Sequence, residues 1–475
     1  MIRTLAKSVA ATLAVVALGF APALAETAYP PQPAVGAPKP FQVPQSETYR
    51  LANGMTVTLI PYGLAPKAVA SLRVFAGNLN EGESTWLADL TAEMLKEGAG
   101  GKTGPELAIE AASLGGDLNI GVSPTETSLT LSALSENAAA AVRLIGQVAQ
   151  QPTFPASEIA RLKQDLGRNL AVAQSQPQPT AEAALAKARY GDTPYGRVFP
   201  RPEQIAGYDV EDVRRFYAEN FGARRARLYV AGKFDEAAVK AAIAEAFEGW
   251  ASGPDRVTPP AAAKPGPQVI LVDRPGAPQS TLRVVFPAPA YGAEGDIPLR
   301  VMNALLGGAF NSRITRNIRE EKGYTYSPDS SLRYNPGDGA WVFDADVTTE
   351  VTGASLKEVF GEIRKLQTEA APEDEAAGMR TWMSGVFVLQ NASTGGLIGS
   401  LATLDVHGLP KTWLDAYVPA LLDVSAEDIQ ATAKARLPLA QMTLVVVGDL
   451  KKVEPQLKAL PELKGVKFQT VKPFE

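Results

Sequence analysis

The chain has 475 residues, a formal net charge of −5, one histidine and no cysteine. Without cysteine there is no disulfide, no thiolate nucleophile and no thiolate metal site. The single histidine, His407, leaves too few imidazoles for an ordinary catalytic zinc centre, and the small charge with scattered basic residues gives nucleic-acid binding no support.

The chain begins with Arg3 and Lys7 ahead of an apolar run over 9–24, closed by Ala23-Leu24-Ala25. That pattern predicts a signal peptide over 1–25, cut after Ala25. The run is short for a bilayer span, which needs ~20 apolar residues, and no later stretch is long and apolar enough. An exported protein without a stable membrane anchor is expected, in the periplasm if the host is Gram-negative. Residues 26–45 are proline-rich and predict a flexible leader.

Strands are expected over 56–61 and 68–76, then helices over 84–97 and 104–114. The run Leu114-Gly115-Gly116-Asp117-Leu118-Asn119 leads toward an alternating strand over 127–134, the pattern of a half-buried antiparallel strand. A helix over 138–150 follows. Val210-Glu211-Asp212 opens an acidic helix start, and an apolar strand ends at Gly232. Residues 251–267, rich in Pro, Ala and Gly, predict a semi-extended linker. Beyond it, strands over 268–272 and 281–286 precede helices over 298–321 and 355–370. Ala426-Glu427-Asp428 and a strand ending at Gly448 then repeat the closing pattern 216 residues later. An interval shared by two such landmarks indicates an internal duplication. The expected fold is α+β, with two homologous halves over 46–250 and 268–475. Each is a mostly antiparallel sheet with helices packed on one face. His407, in apolar surroundings, reads as a helix-end or packing residue.

The segment FNSRITRNIREEKGYTYS, residues 310–327, closely resembles the second-domain signature of the insulinase/pitrilysin peptidases, which include the mitochondrial processing peptidase and its bacterial relatives. Pro152-Thr153-Phe154 and Tyr195-Gly196-Arg197 are similar to that family too. The resemblance covers nearly all of the chain beyond residue 25 and implies a clam-shell of two such halves. It implies that Arg319 and Tyr326, seven residues apart, contact substrate in a zinc site formed by another domain. It also implies that Gly116, Asp117, Leu118 and Asn119 belong to an edge strand that adds a peptide substrate as one more strand. An ordinary edge strand reads equally well.

The departure from the family is as informative. Its catalytic chains carry H-x-x-E-H just before M-L-x-x-G. Here Met94-Leu95-Lys96-Glu97-Gly98 is preceded by Asp89-Leu90-Thr91-Ala92-Glu93. Asp89 and Glu93 stand at the two histidine positions, Ala92 at the general base and Asn169 at the third ligand. Zinc hydrolysis needs ligands for the ion and a carboxylate to take the proton of bound water, and alanine cannot take it. Asp89, Glu93 and Asn169 read either as a weak oxygen site for a hard cation or as hydrogen-bonded carboxylates at a dead site. Arg319 reads either as a solvated helix arginine or, with Tyr326, as a donor to a developing oxyanion. The expectation is a subunit with no cofactor of its own in a heterodimeric zinc endopeptidase. Its partner would be a homologous H-x-x-E-H chain holding the zinc, which receives Arg319 and Tyr326 in trans. Peptides or small unfolded proteins would be the substrates. The alternative is a non-hydrolytic binding or scaffold protein of the same fold.

Overall fold

The computed structural model describes residues 41–264 and 266–474. The expected signal peptide and the leader up to residue 40 lie outside the described residues.

The first sheet has six strands: β1 (Glu47–Arg50), β2 (Thr56–Pro61), β3 (Lys67–Val74), β4 (Leu118–Val122), β5 (Thr127–Leu134) and β6 (Ala226–Gly232), in the order β1-β2-β6-β3-β5-β4. The second has β7 (Gln268–Asp273), β8 (Gln279–Ala288), β9 (Asp329–Asn335), β10 (Asp338–Thr348), β11 (Thr443–Gly448) and β12 (Phe468–Thr470), in the order β9-β10-β8-β11-β7-β12. Read in reverse, the second order matches the first at five of its six positions; the sixth is β1 in one sheet and β12 in the other, which differ in chain position and direction. In each half the closing strand is inserted between two earlier ones, β6 parallel to β2 and antiparallel to β3, β11 parallel to β7 and antiparallel to β8. The remaining pairs are antiparallel, apart from β12 on β7.

The duplication reaches the helix caps. Asp209 accepts from the Asp212 amide at 3.0 Å while Asp212 accepts from the Asp209 amide at 3.1 Å. Ser425 and Asp428, at the same interval, make the same reciprocal pair at 3.0 and 2.9 Å. Such a box satisfies two of the amides that a helix start leaves unpaired.

Helices cover one face of each sheet, as expected. The other face carries a helix from the opposite half. Ala181, Ala184 and Leu185, on the helix Pro177–Tyr190 of the first half, pack on Ile270, Val285, Val342 and Val445 of the second sheet. In return, Leu397, Ile398 and Leu401, on the helix Thr394–His407, pack on Ile60, Tyr229 and Ala231 of the first. This explains why β11 is buried at every residue and reads as unbroken Leu-Val-Val-Val. A strand covered on both faces needs no polar side. Charge also crosses between the halves. Glu182 pairs with Arg283 and, at 2.8 Å, with Arg333, and both arginines reach Asp344 at 2.7 Å. Burial opposes ionisation of Glu182, but the two guanidiniums outweigh it and hold its carboxyl below the usual range.

One expectation needs correction, and two further segments make more contacts than their composition implies. The helix expected over 298–321 is two pieces. Asp296–Asn303 runs into a wide turn over Ala304–Gly308, and a second wide-turned segment spans Thr315–Glu321. The break has a packing cause: a Cβ on Gly308 would lie 2.5 Å from Asn303 Nδ2 and 2.9 Å from the Ser330 carbonyl oxygen, so bare backbone is needed where β9 comes close. The stretch over 251–264 has no helix or strand but is tied down. Its carbonyls at Val257 and Pro259 accept from Asn80 and Tyr195 at 3.1 and 2.8 Å, and Arg256 donates to the carbonyls of Asp405 and Val406, both at 2.8 Å. The described end of the leader is anchored as well. Phe41 meets Phe387 edge-on at 5.0 Å, and the Val43 amide donates to Asp415 at 2.7 Å.

Candidate functional site

The helix Leu87–Lys96 follows β3 across the first sheet and buries Leu87, Leu90, Met94 and Leu95. Its amphipathic spacing leaves Asp89, Ala92 and Glu93 on the opposite side. There they line one cavity of about 310 Å³ together with Ile120, Gly121 and Val122 of β4 and, from the helix Ile159–Ser175, Arg161, Asp165 and Asn169. All four degenerate positions therefore meet in one place, beside an edge strand. Gly116 and Asp117 lie in the turn before β4 and do not line the cavity; Leu118 and Asn119 begin the strand. The strand over 127–134 is interior, paired on both sides, so the free edge belongs to β4.

The two carboxylates of this helix already have partners. Asn78 Nδ2 donates to Asp89 Oδ2 at 2.7 Å, and Lys96 pairs with Glu93 at 2.7 Å. Glu81, which is buried, folds back over the helix start and accepts from the amides of Trp86 and Ala88 at 2.9 and 3.0 Å. Those bonds hold Trp86 at a φ of +66°, an unusual conformation for a bulky residue. Burial, aided by the charge of Asp89 and opposed by those amides, raises the Glu81 pKa to about 8. Burial also raises Asp89. Asp89 further borders a cavity of about 250 Å³ at the junction of the halves.

The residues present do not fit a zinc ion. The cavity offers three engaged carboxylates, Asp89, Glu93 and Asp165, an amide and a methyl group, with the Arg161 guanidinium lining the same space. No imidazole or thiolate faces it, and among the described residues no group of three or more His, Cys, Asp or Glu side chains is placed to hold a metal. Ala92, 3 % exposed, offers no proton acceptor.

Arg319 and Tyr326 are brought together elsewhere. Arg319 stands on the wide-turned segment Thr315–Glu321, whose closing bond runs from the Lys322 amide to the Asn317 carbonyl at 3.0 Å. Helices of this pitch often mark functional positions. The segment is rigidly held: Arg313 grips Glu375 at 2.6 Å, and Asn317 donates to Glu362 at 2.8 Å. Thr325 bridges to Val347 of β10, and its hydroxyl donates to the Asp346 carbonyl at 2.7 Å. On this base the Arg319 and Tyr326 side chains meet. Tyr326 is 81 % exposed, and the Arg319 guanidinium lies between two rings, 4.4 Å from Phe310 and 5.3 Å from Tyr326. Among the described residues Arg319 makes no ion pair. Phe310, 71 % exposed, heads the quoted motif, yet nothing in the sequence assigns it to the second face of Arg319. His407 ends its helix and stacks on Tyr291 at 4.8 Å, the packing role expected of it.

Two duplicated α+β halves, with Asp89, Ala92 and Glu93 on a helix of one and an adjoining Arg319 and Tyr326 in the other, define a class, the clam-shell architecture. Solved structures share it. A peptidase M16 inactive domain from Pseudomonas fluorescens matches with a TM-score of 0.78 at 22% identity, covering 85% of this chain and 98% of that one. A protease from Helicobacter pylori matches with a TM-score of 0.78 at 16% identity, covering 86% and 100%. Residues 59–203 match the family model described as insulinase (peptidase family M16), and residues 208–381 match that of the peptidase M16 inactive domain. The chain belongs to the insulinase family, M16. Among curated relatives, an uncharacterized zinc protease of Rickettsia felis is 24% identical over 70% of this chain and 80% of its own length. Another, of Mycobacterium bovis, is 22% identical over 86% and 95%.

Proposed function

We propose that this chain is the zinc-free subunit of a heterodimeric periplasmic metalloendopeptidase, completing the zinc site of an H-x-x-E-H partner with Arg319 and Tyr326. The observation that carries this reading is the contrast between the two sites. The family's metal positions hold Asp89, Ala92, Glu93 and Asn169 without an imidazole or a base, while Arg319, half-buried, and Tyr326, exposed, stand side by side on an anchored segment. The ring contacts of Phe310 and Tyr326 hold the Arg319 guanidinium in place, so it would be positioned before a substrate docks. Arg319 would donate to a substrate carbonyl, and the Tyr326 hydroxyl to the oxyanion that forms as the peptide bond is attacked. The free edge of β4 would pair with extended peptide backbone, a mode tolerant of sequence. Membership of the family supports the architecture of such a complex.

The test is steady-state cleavage of a fluorogenic peptide by the reconstituted pair, with assembly checked by gel filtration. Tyr326→Phe removes one hydroxyl from an exposed ring, so folding and association are kept. Turnover is expected to fall by about 10²–10³-fold, the effect of losing one oxyanion donor. Arg319→Ala is expected also to raise KM, because a charged donor binds the carbonyl before the transition state. If both mutant complexes assemble and cleave at the unmodified rate, completion in trans is wrong, and a non-hydrolytic binding or scaffold protein takes its place.

A further inference from the structure

Eleven large apolar side chains stand exposed among the described residues, and six of them fall on the motif segment or on one helix. Phe310 and Tyr326 belong to the first; Trp382, Val386, Val388 and Leu389 belong to the helix Glu373–Asn391. Trp382, Val386 and Leu389 are spaced i, i+4 and i+7 and so form one stripe along it. The stripe adjoins the motif. Arg313 and Arg316 both pair with Glu375 in the first turn of this helix, at 2.6 and 3.2 Å, and Gly308 and Trp382 line one groove.

The duplication supplies an internal comparison. The helix Thr394–His407 repeats Pro177–Tyr190 at an interval of 217 residues at both ends. The same interval sets Glu373–Asn391 against the first-half helix Ile159–Ser175. Inward positions agree: Leu162, Leu166 and Leu170 are buried in the first core, and Met379, Met383 and Phe387 pack on the second. Outward positions differ. Asp165 and Asn169 stand where the second half has Trp382 and Val386; only the third, Val172 opposite Leu389, is apolar in both. Residues 159–175 carry four charged side chains, whereas residues 376–392 carry only Arg380. Packing within the fold therefore does not require an apolar stripe here, since the sister helix packs without one. Large exposed apolar patches are rare on a lone soluble chain and mark a surface that another molecule covers.

We infer that the Trp382 stripe, continuous with Phe310 and Tyr326, is the docking face for the H-x-x-E-H subunit of the proposed heterodimer. This rests on the role given above to Arg319 and Tyr326: side chains that enter a partner's site bring the surface around them against that partner. The composition fits. Aromatic side chains and arginine, with few other charges, characterise the core of a protein interface, and here Phe310 and Tyr326 flank Arg319 where the stripe begins. The area fits too. The six side chains expose several hundred Å² between them, a large part of the ~800 Å² that one side of a standard interface buries. A second copy fits less well, because it would bring another Arg319 to the same face, like charge against like.

The test is the dissociation constant of the pair, read by sedimentation velocity, with the purified H-x-x-E-H homologue encoded in the same genome as the probe. Trp382→Asp with Val386→Asn gives the stripe the residues its sister helix carries, and Leu389→Asp places one charge at its most exposed point. Each variant is expected to raise Kd by about tenfold or more, with circular dichroism and thermal unfolding as for the unmodified chain. If the double variant fails to fold, Leu389→Asp decides. At saturating concentrations of a stripe variant, cleavage of the fluorogenic peptide is expected to recover fully, because the stripe holds the partner and takes no part in the chemistry. Tyr326→Phe is expected to do the reverse, keeping Kd and losing turnover, so the two readings fail separately. An unchanged Kd for the stripe variants would overturn this inference and leave completion in trans standing. So would a raised KM at unchanged Kd, which would give the stripe to substrate, or a dimer of the unmodified chain alone that the variants abolish, which would give it to a second copy. Failure of the unmodified chain to bind the homologue would overturn both readings together.

Discussion

At the scale of single residues, the proposed role of the first half turns on the side chains at positions 89, 92, 93 and 169. Asp89 offers an oxygen, but Asn78 holds it. Ala92 offers a buried methyl group. The neighbouring Glu81 has consequences of its own. In the unfolded chain its carboxyl ionises near 4.5, whereas in the fold burial moves ionisation to about 8. Between those values the unfolded state holds fewer protons, so stability falls as pH rises from about 4.5 to 8. Asp89, raised in the same direction, and the nearby Tyr208 face the same group. Glu81→Gln stays neutral throughout and is expected to flatten that decline, at the cost of one acceptor for the Trp86 and Ala88 amides. Denaturant midpoints across this range, compared with the unmodified chain, check it; parallel curves would show that Glu81 does not titrate there.

At the scale of elements, the connection over 251–264 behaves differently from its composition. Proline and alanine keep it out of helix and sheet, but its carbonyls and Arg256 are hydrogen-bonded along the surface. Arg256 lies 3.9 Å over the Phe75 ring and caps the last carbonyls of the helix Thr394–His407, where the helix dipole favours a cation. Under native conditions this stretch is expected to resist limited proteolysis. Arg256→Ala is expected to expose it, since two bonds to carbonyls and the ring contact disappear together. The cost in stability is about 1–3 kcal/mol. Digestion with elastase, which cuts after small residues such as Ala251, Val257 and Ala262, followed by mass mapping reads both; a wild-type chain cut first within 251–264 would contradict the anchoring.

At the scale of the whole molecule, the halves are interlocked. Each sheet needs a helix from the other half to cover its second face, and Glu182 reaches across to Arg283 and Arg333. Expressed alone, residues 46–250 would leave Ile60, Tyr229 and Ala231 facing water, and residues 268–475 would leave Ile270, Val285 and Val445 bare. Neither half is expected to give a cooperative unfolding transition, whereas the full chain should unfold in one. Circular dichroism melts of the three proteins test this, and a sharp, independent transition in either isolated half would refute it. The energetic reason is area: each helix buries several aliphatic side chains, at about 1.5–3 kcal/mol apiece.

Periodicity, turn residues and the interval between two caps were enough to place most strands within one or two residues, and to find the two halves. Those signals are local, and local backbone preference carries them. The resemblance also singled out Arg319, Tyr326 and positions 89, 92, 93 and 169, because a motif is a spacing and spacing survives in one dimension; the fold brings the first two into contact and the other four around one cavity. Contacts between distant segments were not. Phe310 on the far face of Arg319, β4 in place of Gly116 and Asp117 beside the cavity, and the exchange of helices between halves all depend on which surfaces meet. So does the break at Gly308, where a long apolar run reads as one helix until β9 presses against it. Only the packed fold decides these, since burial and close approach belong to pairs of segments rather than to any stretch of sequence.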